Sequence, residues 1–158
     1  MSALFAIVLA AAGGAIQYDC TAEQQVGMTS SGNSWSVNQS EVDSGQREIF
    51  SWTFTVRPQS DGSRTVSHRA GVMDALGLAG EYPLVPLADG QFAFSSTKAR
   101  NCIFTEEACS ALVEISDVDN RNAIFTLTPA GSVQREDGTR EIMQIVFMGR
   151  CKRKEVAA

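Results

Sequence analysis

Ile49-Phe50-Ser51-Trp52-Thr53-Phe54-Thr55-Val56 decides the fold. In an extended chain Phe50, Trp52, Phe54 and Val56 fall on one side, and Ser51, Thr53 and Thr55 on the other. Aromatic and β-branched residues in this alternation describe an antiparallel strand with one face buried and one wet. The same period recurs at 122–128, where Ala123, Phe125 and Leu127 oppose Ile124, Thr126 and Thr128. It is weaker at 110–116, through Ala111, Val113 and Ile115. Phe92 and Phe94 share a strand face and are expected in the core. Near the end of the chain Met143, Ile145, Phe147, Gly149 and Cys151 share one face, with Ile142, Gln144, Val146, Met148 and Arg150 on the other. That last strand is apolar on both sides for much of its length, so it is expected near the centre of a sheet.

The punctuation between these segments is that of hairpins. Asp61-Gly62, Asp89-Gly90 and Asp137-Gly138 are three Asp-Gly pairs, a dipeptide that readily takes the positive φ angles of tight turns. Ser30-Ser31-Gly32-Asn33 makes a further turn between strands at 24–29 and 34–38, and Ser44-Gly45 another break. Only 70–87 resists. Gly71, Gly77, Gly80, Pro83 and Pro86 interrupt it, and Val72, Met73 and Leu76 have helical spacing. It is expected to hold one short helix followed by a Pro-bounded loop. The whole predicts a mainly β fold: a small antiparallel β-barrel or β-sandwich of about eight strands with one short helix.

The chain has 158 residues, enough for one domain with a proper core. Its formal net charge of −5 would repel a phosphate backbone, so no nucleic-acid partner is expected. Residues 3–12 are apolar without interruption, followed by Gly13-Gly14-Ala15. Ten apolar residues are too few to span a bilayer and suit the apolar region of a signal peptide. The expected division is a signal peptide at 1–15 and a single β-rich domain at 16–158, exported to the periplasm or secreted. No stable membrane anchor is expected, because Cys20 does not follow the apolar run in a lipid-attachment pattern. The four cysteines agree with export. They form no C-x-x-C pair, and two disulfides are expected, Cys20–Cys151 and Cys102–Cys109. The first would tie the first mature strand to the last, which favours a closed barrel over a sandwich.

Few residues in the chain point to chemistry. His68 is the single histidine, and no Gly-x-Ser-x-Gly elbow accompanies it. Asp117-Val118-Asp119-Asn120-Arg121-Asn122 opens like a calcium loop but has Asn122 where Gly is needed and Thr128 where a bidentate Glu is needed. It reads instead as a polar hairpin turn. Glu106-Glu107 reads as a solvated pair, and 77–80 lacks the Lys of a phosphate loop. No catalytic residue, metal ligand or cofactor site is expected.

The Tyr18-Asp19-Cys20 opening, with a Cys near the C-terminus, resembles the ends of small periplasmic lysozyme-inhibitor barrels. The likeness covers a few residues at each end. Ser44-Gly45-Gln46-Arg47 matches only the first two residues of the loop such inhibitors insert, so no functional residue is carried over. The residues themselves favour an exported, non-enzymatic binding protein for a small apolar ligand, with Phe50, Trp52, Phe54, Phe125 and Phe147 as cavity-lining side chains. Packed aromatics with no void would count against that cavity. The alternative is an inhibitor or interaction protein that presents the loop at 70–87 or 102–109 to another exported protein, with Leu84 or Val85 exposed. A hydrolytic enzyme is the least favoured reading.

Overall fold

Alternation of this kind can bury its apolar face only if the strands pair side by side, and they do. The computed structural model describes residues 14–31, 34–70, 81–98 and 109–157. Ten strands appear among them: β1 (Ala15–Ser31), β2 (Ser34–Glu41), β3 (Ser51–Pro58), β4 (Arg64–Ala70), β5 (Glu81–Pro83), β6 (Val85–Ala88), β7 (Gln91–Lys98), β8 (Cys109–Asp117), β9 (Asn122–Gln134) and β10 (Arg140–Val156). All pairings are antiparallel, in the order β5-β4-β3-β1-β10-β9-β8-β7-β6, with β2 joined to β1. The two ends of that path, β5 and β6, belong to one run, 81–88. Its first half pairs with β4 and its second with β7. The sheet is therefore a nearly closed barrel of eight staves, visited in chain order, with β10 at the middle of the path as expected.

The alternation sets which side chains fill the barrel. Trp52, Phe54 and Val56 point inward from β3, Phe92 and Phe94 from β7, Val113 and Ile115 from β8, and Phe125 and Leu127 from β9, all buried. Each such aromatic or aliphatic side chain contributes roughly 1.5–3 kcal/mol by leaving water. The three Asp-Gly turns form as expected, with φ of 86° at Gly62, 71° at Gly90 and 82° at Gly138. The segment 117–122 is a polar hairpin turn. There Asp119 accepts hydrogen bonds from the backbone amides of Arg121 and Asn122 at 2.7 and 2.8 Å.

Cys20 and Cys151 face each other directly in the β1–β10 ladder and form a disulfide, with Cα atoms 3.9 Å apart. The disulfide thus fastens the first strand to the last across the ladder that already pairs them. Cys109 is not a free thiol; its expected partner Cys102 lies outside the described residues. So do residues 1–13 of the expected signal peptide, the helix expected around 72–76, and Glu106-Glu107. The one helical turn among the described residues is a 3-10 turn, Ser44–Gln46, capped by the Asp43 carboxylate.

The strands are not uniformly short. β1 and β10 each run 17 residues, roughly 55 Å at about 3.3 Å per residue, against eight residues for β3 and β7. They overshoot the barrel, and the overshoot is a flange formed by β2, the second half of β1, the first half of β10 and the end of β9. A β-bulge between Ala22 and Gln24 marks where β1 leaves the barrel. The bulge reverses the side-chain parity of β1, so Gln25 and Gly27 continue the inner face that Cys20 and Ala22 began.

Candidate functional site

The turns at 59–63, 89–90 and 118–121 surround one end of the barrel, together with the start of β1 and the end of β10. The inward rows of the strands emerge there. Tyr18 continues the face of Cys20, Asp117 that of Ile115, and Arg153 that of Cys151. Tyr18 and Phe92 form the apolar floor, their ring centroids 5.5 Å apart. Above them opens a cleft of about 630 Å³, with Ile16, Leu84 and Pro86 on its walls and Arg64 and Asp89 at its rim.

Three polar groups meet at the base of this cleft. Arg153 Nε lies 3.3 Å from Asp117 Oδ2, an ion pair without hydrogen-bond geometry. Another guanidinium nitrogen donates to the Asn120 carbonyl at 3.1 Å. The Tyr18 hydroxyl interacts with both Asp117 and Arg153. Burial, followed by the Asp117 charge, pushes the Tyr18 phenol above its ordinary pKa. Asp117 also holds the rim, because its backbone amide donates to the Gly90 carbonyl at 2.7 Å. Among the described residues, Asp117 Oδ1 and Arg153 Nε are buried without a hydrogen-bond partner. The combination is an apolar collar over a small polar base, the form of a site for a small molecule.

The five aromatics expected to line a cavity lie elsewhere. Phe50 stacks on Phe147 at 5.3 Å, Trp52 packs on Phe147 at 5.5 Å and on Phe125 at 5.9 Å, and Phe54 meets Phe125 at 6.5 Å. They form one continuous packed group inside the barrel, and none borders the cleft at its end. Side chains fill a barrel of this stave number readily, and the packing counts against a ligand held among these five. His68 points inward against Phe54, ring centroids 6.0 Å apart, and is not at the cleft either.

A second depression, about 750 Å³, lies on the outer face of β1 and β10. Two of its carboxylates are paired, Glu23 with Arg150 at 3.4 Å and Asp19 with the neighbouring Lys154 at 2.7 Å. Val118, Ala123 and Ile124 give it apolar lining too, but seven charged side chains surround it against four at the first cleft. Among the described residues no group of three or more His, Cys, Asp or Glu side chains is placed to hold a metal ion, and the first cleft is lined by neither His nor Cys.

Sequence reasoning missed Tyr18, Asp117 and Arg153 as a group. The available signal was parity: each continues a buried face one step past the last core residue, and a charged group in that phase sits at a barrel mouth. What no pattern supplied was that three such ends, far apart in sequence, meet. No protein-family model matches the chain, and no curated protein matches it.

Proposed function

We propose that this chain is an exported, non-enzymatic binding protein that takes a small, largely apolar molecule at the open end of its barrel. The observation that carries the reading is the cleft of about 630 Å³ in which Ile16, Leu84 and Pro86 surround the Tyr18–Asp117–Arg153 group. The apolar collar suits a hydrocarbon body, and the polar base suits one head group. Export is supported by the Cys20–Cys151 disulfide. No helix among the described residues is long and apolar enough to cross a membrane.

The test is a titration with decanamide, followed by amide NMR on protein recovered from a bacterial periplasm. Saturable shifts confined to 84–92 and the surroundings of Tyr18 and Arg153 are expected, weakened at least tenfold by Leu84→Glu. Native mass spectrometry on the same sample reads any carried ligand, the mature start and the oxidation state of the four cysteines. A clean apo mass together with no saturable shift at the cleft would overturn the site. A chain beginning at Met1 with free thiols would overturn export. A second reading, a protein that presents the 81–88 run to a partner, is favoured by Val85 and Leu87, each 55% exposed beside the cleft. In that case the shifts would follow a protein and fall on those two residues.

A further inference from the structure

The flange carries an apolar face of its own, remote from the cleft. Register assigns it. Trp35, Ser30 and Ile142 form one cross-strand row across β2, β1 and β10. Val37, Met28 and Gln144 form the next, and Gln39, Val26 and Val146 the third. Directly opposed residues share a face, and this one is the outer face, because the alternate residues Gly27 and Ile145 continue the inward rows. Trp35 is 62% exposed, Val37 67% and Ile142 47%, so nothing among the described residues covers them. Single exposed apolar residues are ordinary, but a contiguous row-on-row patch headed by a Trp is not.

The patch ends at an edge. Among the described residues β2 pairs only with β1, and every β2 residue is exposed. Natural sheet edges are guarded against strand addition by Lys, Pro, bulges or inward charges. Residues 35–41 contain none of these, and their one charge is Glu41, at the end of the strand.

We propose that β2 pairs antiparallel with β2 of a second copy, making a two-fold symmetric dimer through the flange. A two-fold axis normal to the sheet keeps the outer face outer, so the two apolar patches join into one band. It also requires opposed residue numbers to sum to an even value, because odd sums would place inner residues opposite outer ones. A sum of 72 sets each Trp35 opposite Val37 of the second copy. A sum of 74 sets Val37 opposite itself. Both leave the two Glu41 side chains at opposite ends of the new ladder, so no like charges meet along it. A strand of another protein enjoys no such guarantee of fit. The bodies of the two copies, each with formal charge −5, repel at long range. The dimer therefore strengthens as salt screens that repulsion, the opposite of an association held by ion pairs.

The test uses the whole mature protein in sedimentation equilibrium over a concentration series at low and high salt, with amide hydrogen exchange on the same samples. The expected result is a monomer–dimer equilibrium that tightens with salt, with protection at 35–41 rising with concentration. Val37→Lys, at an exposed position, is expected to weaken dimerisation at least tenfold while leaving the thermal midpoint of dilute, monomeric samples unchanged. Trp35→Ser provides a second variant with the same expectation. A monomer at about 0.5 mM in 0.5 M NaCl overturns the proposal. So does a dimer untouched by both variants, or assembly continuing beyond two copies. None of these results bears on the cleft, because the flange and the barrel mouth lie at opposite ends of β1.

Discussion

Gly149 shows how one residue reports on the packing around it. It lies on the inward face of β10 opposite Ala22, beside the bulge. A Cβ there would fall onto the carbonyl oxygen of Thr21 and come within 2.9 Å of both Ala22 Cα and Phe125 Cε1. Two of those neighbours are backbone and cannot step aside. Gly149→Ala should therefore destabilise the fold by about 3 kcal/mol or more, read as a fall in the denaturant midpoint. Gly62 and Gly138 make the comparison: a Cβ there meets open space, and only the positive φ is strained, so Ala at either should cost about 1–2 kcal/mol. Tyr18 offers a second reading at this scale. Its phenol is held above the ordinary value, chiefly by burial. The folded state then prefers the neutral form. The stability that follows is fully present below the unfolded pKa of 10.0 and is lost as pH rises past it towards the folded value. Tyr18→Phe should flatten the alkaline limb of thermal midpoint against pH, measured from pH 8 to 11.5. At this scale the sequence was legible where alternation was unbroken, as at Trp52, Phe54 and Phe125. It was illegible at the bulge, because nothing in Ala22-Glu23-Gln24 distinguishes an extra residue from the next step of the strand.

The hairpin is the element on which this molecule relies, and its turns carry carboxylates that act on their own backbone. Asp61 accepts from the Ser63 amide and hydroxyl, and Asp137 does the same with Thr139. Asp119 accepts from the Asn122 side chain and from the Arg121 and Asn122 amides. All three carboxyls are held below their ordinary pKa, each first by a side-chain hydrogen bond. On β1, burial works to raise Asp19, but hydrogen bonds from Lys154, Gln17 and Thr53 outweigh it and hold it low as well. A depressed folded pKa contributes stability that is complete above the unfolded value of 3.8 and is lost as pH falls through the folded one. The thermal midpoint should accordingly drop between pH 5 and pH 2. Asp119→Asn keeps an oxygen for the two amides but removes the charge, so it should shallow that acid limb by lowering the midpoint at pH 7 while leaving it little changed at pH 2. These turns were plain in the sequence because Asp-Gly carries its own backbone preference. The flange was not. Its strands were expected at 24–29 and 34–38, but no local pattern says that β1 continues without interruption from barrel to flange, since continuity depends on what pairs with it on both sides.

At the scale of the whole molecule, closure is the question, and Cys20–Cys151 is where it can be tested. Expecting that pair from four cysteines amounted to expecting the first and last strands to be neighbours, and it is why the barrel was legible while its mouth was not. The mouth needs Tyr18, Asp117 and Arg153 to arrive from three strands whose turns set their height, and pairing order alone does not report height. The disulfide spans a sequence separation of 131. On chain entropy alone such a cross-link stabilises by about 5 kcal/mol, and measured losses for native disulfides run from about 2 to 5. The β1–β10 ladder also holds fourteen other residue pairs around it, so closure does not rest on the cross-link alone. The double variant Cys20→Ala/Cys151→Ala should therefore still form the barrel, with amide protection across β1 and β10 intact, while its unfolding free energy falls by about 2–5 kcal/mol. Loss of protection along that seam with the β3–β4 and β8–β9 hairpins still protected would mean that the disulfide, not the ladder, closes the barrel. The cleft should then disappear with it, because Tyr18 and Arg153 stand on the two strands that would part.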